Sequence, residues 1–113
     1  VVSYCDEIKH KVLGVKQETL DEHTAVSSQT AEEMADGVRR LMGANIAVST
    51  TGIAGPGGAT EEQPVGTVWM GVSSGNGTWA QKFLFNGNRE EIISQASVMA
   101  LRLVINEINE IYG

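Results

Sequence analysis

Ser49-Thr50-Thr51-Gly52-Ile53-Ala54-Gly55-Pro56-Gly57-Gly58 places three hydroxyls at the end of a short apolar run and glycines directly after it. Hydroxyls can hold or orient a polar ligand, and glycine backbone lets a ligand come close to main-chain N–H groups. In open α/β sheets ligands sit beyond the carboxyl ends of parallel strands, which is where such a stretch would lie. The competing reading is a loop that only joins two strands. Two nucleotide motifs are excluded. A P-loop ends in Gly-Lys-Ser/Thr, but Gly58 is followed by Ala59-Thr60-Glu61, and no Gly-x-Gly-x-x-Gly frame opens a helix.

A second group with chemical potential is Tyr4-Cys5-Asp6-Glu7-Ile8-Lys9. If Asp6 caps a helix, Lys9 lies in its first turn, where the helix dipole disfavours a cation and partial burial pushes towards a neutral amine. Asp6 and Glu7 oppose that shift, and a solvated surface lysine is the plainer alternative. His10 and His23 lack the spacing of a helical metal-ligand pair, and neither His-Glu-x-x-His nor Cys-x-x-Cys occurs, so no metal is expected. Glu61 and Glu62 read as solvated, and Cys5 as a small buried residue. Arg89, just after Asn86-Gly87-Asn88, could reach a phosphate or simply face solvent.

These residues need a scaffold, and the chain offers one. Its 113 residues suit a single domain; 42% are hydrophobic and 19% charged, a balance typical of folded proteins. The net charge of −6, without a basic stripe, argues against nucleic-acid binding, which relies on neutralising phosphates. A lone cysteine excludes an intrachain disulfide. No apolar stretch nears the roughly 20 residues that cross a bilayer. A cytoplasmic protein with no membrane partner is the expectation. Because the sequence opens in mid-pattern at Val1-Val2-Ser3-Tyr4, upstream chain is expected to be missing from it.

Alternation predicts the end of a strand over Val1–Cys5, then a short helix capped by Asp6 and closed by Gly14. Gln17–Ser27 reads as a connector anchored by Leu20 and Val26, with room for a helical turn. Thr30 with Glu33 forms a capping-box pair, with Ser28 as a rival cap, before an amphipathic helix carrying Ala31, Met34, Ala35, Val38, Leu41 and Met42 on one side. Gly37 would permit close packing, and Gly43 ends the helix. Ile46-Ala47-Val48 reads as a buried strand; Pro64–Val72 and Thr78–Phe85 follow as a hairpin around Ser74-Gly75-Asn76-Gly77. Asn88 and Glu91 cap a last helix to about Ile111, buried through Ile92, Ala96, Met99, Ala100, Leu103 and Val104. Helical crossovers favour parallel pairing and the hairpin forces antiparallel pairing. The expected fold is therefore α/β, a three-layer α/β/α sandwich with a mixed sheet.

The pieces also occur in a known order. Tyr4, Glu7, Lys9 and Leu13-Gly14-Val15 are followed by Ala25-Val26-Ser27 and Met34-Ala35-Asp36-Gly37. Thr51-Gly52-Ile53-Ala54-Gly55-Pro56, Gly57-Gly58, Pro64-Val65-Gly66-Thr67-Val68, and Phe85 with Gly87 and Arg89 complete the set. Over its whole length the chain resembles the CinA C-terminal domain family, the nicotinamide-nucleotide amidohydrolases. The resemblance implies hydrolysis of the carboxamide of nicotinamide mononucleotide, giving nicotinic acid mononucleotide and ammonia without a cofactor. Tyr4 and Lys9 match the family's catalytic tyrosine and lysine, and Thr51 a threonine of its active-site loop. Gly52, Ala54, Gly55, Gly57, Gly58 and Arg89 are then candidates for binding a small nucleotide substrate, with Arg89 on its phosphate.

The family's nucleophilic serine lies in a Glu-Ser-Cys-Thr-Gly-Gly motif upstream of the tyrosine, and these 113 residues contain none. The resemblance therefore makes residues 1–113 an amidohydrolase domain without its serine-bearing front part. Cys5-Asp6 also stand where the family commonly has Ser-Asn. The rival expectation is a catalytically silent nucleotide-binding or assembly module. Apolar helix faces on so small a domain suggest a homodimer.

Overall fold

Helices and strands follow one another as α1 (Asp6–Lys11), α2 (Gln17–His23), α3 (Ser28–Met42), β1 (Ile46–Gly52), β2 (Thr67–Ser74), β3 (Gly77–Leu84) and α4 (Arg89–Tyr112) in a computed structural model that describes residues 6–113. The strand expected at Val1–Cys5, and the Tyr4, Cys5 and Asp6 side chains, lie outside the described residues.

Local sequence accounts for most boundaries. The Asn88 side chain accepts from the Glu91 amide and the Glu91 carboxylate from the Asn88 amide, so α4 starts with the predicted capping box. α3 stops at Gly43, whose φ of +61° lets the Ala44 and Gly43 amides turn back onto the Arg39 and Arg40 carbonyls. At its other end the cap is Ser27, accepting from the Thr30 amide at 3.2 Å, and not Thr30 or Ser28. Thr30 instead donates its hydroxyl to the Thr24 carbonyl, and Glu33 receives the Lys16 amide and the Thr19 hydroxyl. Long-range partners have taken both members of the expected box. The connector also contains a full helix, α2, anchored by buried Leu20.

β1 pairs with β2 from Ile46↔Ser74 to Gly52↔Val68, and β2 with β3 from Thr67↔Leu84 to Ser74↔Gly77. Both pairings are antiparallel, so the described sheet, in the order β1-β2-β3, is not mixed. The parallel pairing expected from a helical crossover needed the Val1–Cys5 strand. Among the described strands, β1 and β2 are joined by a loop and β2 and β3 by the Gly75-Asn76 turn, and neither connection carries a helix.

The α/β class and the three layers are present. On one face Val68, Met70 and Val72 of β2 pack with Ile92 and Leu103 of α4 into an apolar core, flanked by Ala96, Met99 and Ala100. A second row on α4, with Leu101 and Ile105, is exposed. The other face is small and polar. A Cβ at Gly71 would collide with the Ala31 carbonyl and lie 2.8 Å from Ser49 Oγ, so α3 rests directly on the sheet backbone. Ser49 donates to the Ala31 carbonyl at 2.6 Å, and Ser73 to Asp36. Beyond α3, Leu13, Val15, Leu20 and Met34 form a second apolar cluster. There a Cβ at Gly37 would overlap the Leu13 carbonyl, which fits the predicted close packing.

Candidate functional site

The period of two along β1 divides the hydroxyl cluster between the sheet's faces. Ser49 and Thr51 are buried towards α3, and Thr50 is exposed on the α4 side. Thr51 Oγ1 donates to the Ala25 carbonyl at 2.6 Å, so its proton is committed to the α2–α3 connector. Thr50 lines an apolar groove of about 360 Å³ between β1 and α4, with Val68, Ile92 and Ala96 among its walls.

Past Gly52 the chain remains tethered to the ladder: the Ile53 amide donates to the Thr67 carbonyl at 2.9 Å, and the Gly66 amide to the Ile53 carbonyl at 2.7 Å. The loop between these bonds projects over a cleft of about 470 Å³, within the range that holds small molecules. Gly52, Ala54, Gly55, Gly57, Gly58 and Arg89 all line it, so the six expected binding residues are brought together. Arg89 enters from the first turn of α4 and donates to the Gly55 carbonyl at 3.2 Å, which fixes the guanidinium beside the loop.

The glycines differ in what they do. Gly55 adopts φ +83°, and a Cβ there would meet Val65 at 2.7 Å, so packing requires it. At Gly57 nothing lies within 4 Å of where a Cβ would stand, leaving bare backbone on the open side of the cleft.

The opposite contribution comes from the connector between α2 and α3, which periodicity could not identify. Thr24, Ala25 and Val26 line the cleft, as do Thr60 and Gln63. Gln63 Nε2 donates to the Val26 carbonyl at 2.7 Å, while Thr60 and Gln63 close a turn through the Thr60 amide on the Gln63 carbonyl and the Gln63 amide on Thr60 Oγ1, both at 3.0 Å. Thr51 and Gln63 thus hold adjacent carbonyls of one wall. Thr24 has φ +68° and ψ 172°, a region almost reserved for glycine that costs another residue about 1–3 kcal/mol. Its amide on Leu20, and its carbonyl under Ser27 Oγ and Thr30 Oγ1, keep it there. The pairing of a β-branched residue with that backbone has no sequence signal.

Tyr4 lies outside the described residues. Lys9, the fourth residue of the six-residue α1, is buried at 7% exposure and does not line the cleft. Among the described lining residues, Arg89 is the one ionisable side chain. This part of the cleft can bind and orient through hydroxyls, amides and one cation; proton transfer and nucleophilic attack need groups from elsewhere. Among the described residues no helix is long and apolar enough to cross a membrane.

Comparison with known proteins gives the family. The family model for the CinA C-terminal domain matches residues 1–108. A nicotinamide-nucleotide amidohydrolase PncC of Enterobacter agglomerans is 45% identical over 107 residues, covering 94% of this chain and 65% of the relative. A CinA-like protein of Geotalea uraniireducens is 48% identical over 101 residues, covering 89% of this chain and 24% of that one. The chain spans about a quarter of the length of several such curated relatives. A crystal structure of a CinA superfamily protein from Klebsiella pneumoniae superposes with a TM-score of 0.91 at 36% identity, over 97% of this chain and 69% of that one.

Proposed function

Because the chain belongs to the CinA C-terminal domain family, we propose that it supplies the substrate-binding half of a nicotinamide-nucleotide amidohydrolase site. The observation that carries this is the convergence of Gly52, Ala54, Gly55, Gly57, Gly58 and Arg89 on one cleft. The relative's name supplies the chemistry. A mononucleotide has an anionic phosphate, a neutral diol and a flat base with a carboxamide, and each has a matching surface here. Arg89 takes the phosphate with a fixed, always-charged fork. Bare loop backbone at Gly57 lets the nucleotide approach closely, and the hydroxyls and amide of Thr24, Thr60 and Gln63 face its polar groups.

In the proposed reaction a serine oxygen from outside this chain attacks the carboxamide carbon. Ammonia leaves after gaining a proton, and water then hydrolyses the acyl ester to the carboxylate. Lys9 is the proposed base, with Tyr4 relaying or donating the proton. The Thr51 hydroxyl proton is held by Ala25, so Thr51 acts by positioning the connector wall, while loop amides serve the oxyanion.

A second reading, binding without turnover, draws support from the described lining residues, whose one ionisable member is a permanently charged arginine. Ammonia release by the intact protein separates the two. Nicotinamide mononucleotide should be turned over, and nicotinamide and its riboside poorly or not at all. Lys9→Ala should abolish release. Nucleotide binding without ammonia would favour the second reading, and unchanged turnover in Lys9→Ala would remove it as base.

A further inference from the structure

A β-branched residue held in glycine's conformation is an expensive choice at a helix end, where a glycine would close α2 without strain. The backbone bonds explain how Thr24 is kept there but not why it is threonine, since a glycine could make every one of them. What threonine adds is a hydroxyl and a methyl at the cleft wall. Among the described residues the hydroxyl is poorly used: Oγ1 reaches the Val26 carbonyl at 3.5 Å, the outer limit of a hydrogen bond, and the residue is exposed. It is thus a donor and acceptor on a residue that lines the cleft, presented at a conformational cost.

Its surroundings indicate the kind of ligand group it meets. The side chains of Gln63 and Thr60 share the cleft, and Gln63 is bonded to Val26, two residues from Thr24. All three are neutral and can both donate and accept, whereas the cation, Arg89, is tied to the loop at Gly55. A sugar diol, itself donor and acceptor at each oxygen, matches neutral groups of this kind better than a phosphate does. We infer that Thr24 is a specificity-determining residue whose hydroxyl binds a ribose hydroxyl of the nucleotide, an inference that rests on the nucleotide reading above.

Calorimetric binding of nicotinamide mononucleotide and of free nicotinamide to the intact protein, with Thr24→Val and Thr24→Gly, tests this together with their melting temperatures. Thr24→Val keeps the branched side chain and removes the hydroxyl; it should melt near the wild type and bind the nucleotide about five- to tenfold more weakly. Thr24→Gly should melt several degrees higher, because relief of strain exceeds the extra freedom glycine brings to the unfolded chain, yet bind the nucleotide as weakly. Free nicotinamide, which lacks the ribose, should bind all three proteins alike. Wild-type nucleotide affinity in both variants overturns the inference and leaves the nucleotide reading intact. An equal loss for nicotinamide overturns the assignment to ribose. A wild-type protein that binds no nucleotide brings down both.

Discussion

Gly55 and Gly57 stand two residues apart in the same loop and answer to different constraints. Gly55 is fixed by packing, since a side chain would run into Val65. Gly57 has open space around its missing Cβ, so an alanine there should fold as well as the wild type, within about 0.5 kcal/mol. If a nucleotide lies against that backbone, Gly57→Ala should instead raise KM for nicotinamide mononucleotide, on the order of tenfold, with an unchanged melting temperature. A variant with normal KM would show that the ligand passes elsewhere. Glu32 gives a prediction of another kind. Burial, then the neighbouring Asp36 and Glu33, raise its pKa above the ordinary value of 4.5. Between those two values the native state binds more protons than the unfolded chain, so this group's contribution to stability falls as pH rises through the window. Glu32→Gln removes the penalty on the charged form. Its melting temperature should gain on the wild type as pH rises from about 4.5, until the raised pKa has been passed. The gain should stay below about 1 kcal/mol, because solvent screens a partly exposed carboxylate. A constant offset across that pH range would assign the effect to something other than this carboxyl.

At the scale of elements, the two faces of the sheet are held by different physics. α4 is attached by apolar packing, whereas α3 is seated on Gly71 by backbone proximity and by the Ser49 and Ser73 hydroxyls. Gly71→Ala would drive a methyl into the Ala31 carbonyl and should cost about 1–3 kcal/mol or more, as overpacking does. Denaturant melts would measure the cost, and a neutral outcome would mean that α3 can lift away freely. This contrast explains what was legible beforehand. The α4 cap could be read because both partners lie within one turn, at Asn88 and Glu91. The start of α3 was misplaced because Thr30 and Glu33 satisfy groups in the preceding connector and helix. α2, whose sequence Gln-Glu-Thr-Leu-Asp-Glu-His has a single large apolar residue, carried almost no periodic signal and owes its place to Leu20 and Thr19. The glycine-loop side of the cleft was visible as composition. Its other wall was not, because the bonds that hold it, Thr51 to Ala25 and Gln63 to Val26, join residues 26 and 37 apart. The strand-end hydroxyls are divided for a related reason: Ser49 and Thr51 seat α3 and the connector, and Thr50 faces the groove against α4.

At the scale of the molecule, the described residues form two cores with unequal reach. Met70, fully buried at the centre of the middle strand, belongs to the core shared by the sheet and α4. Leu13 belongs to the satellite formed by the α1–α2 segment and α3, against which Ala25 of the cleft wall also packs. Truncating either to alanine removes several buried methyl or methylene contacts and should cost about 2–5 kcal/mol, but the loss should be distributed differently. Met70→Ala weakens the element that every other layer leans on, so amide exchange should quicken throughout α3, α4 and the sheet. Leu13→Ala loosens a cluster that, among the described residues, meets the sheet through α3 and the Thr51–Ala25 bond. The amides of Val15 and Thr24, bonded to Lys9 and Leu20, should then exchange through a local opening while those of β2 keep near wild-type protection. Because that opening would move Thr24 and Ala25, Leu13→Ala should also weaken nucleotide binding at temperatures where the sheet is still intact. Uniform acceleration of exchange in Leu13→Ala would make the molecule one cooperative unit, and the connector wall would then be as rigid as the strand it is tied to.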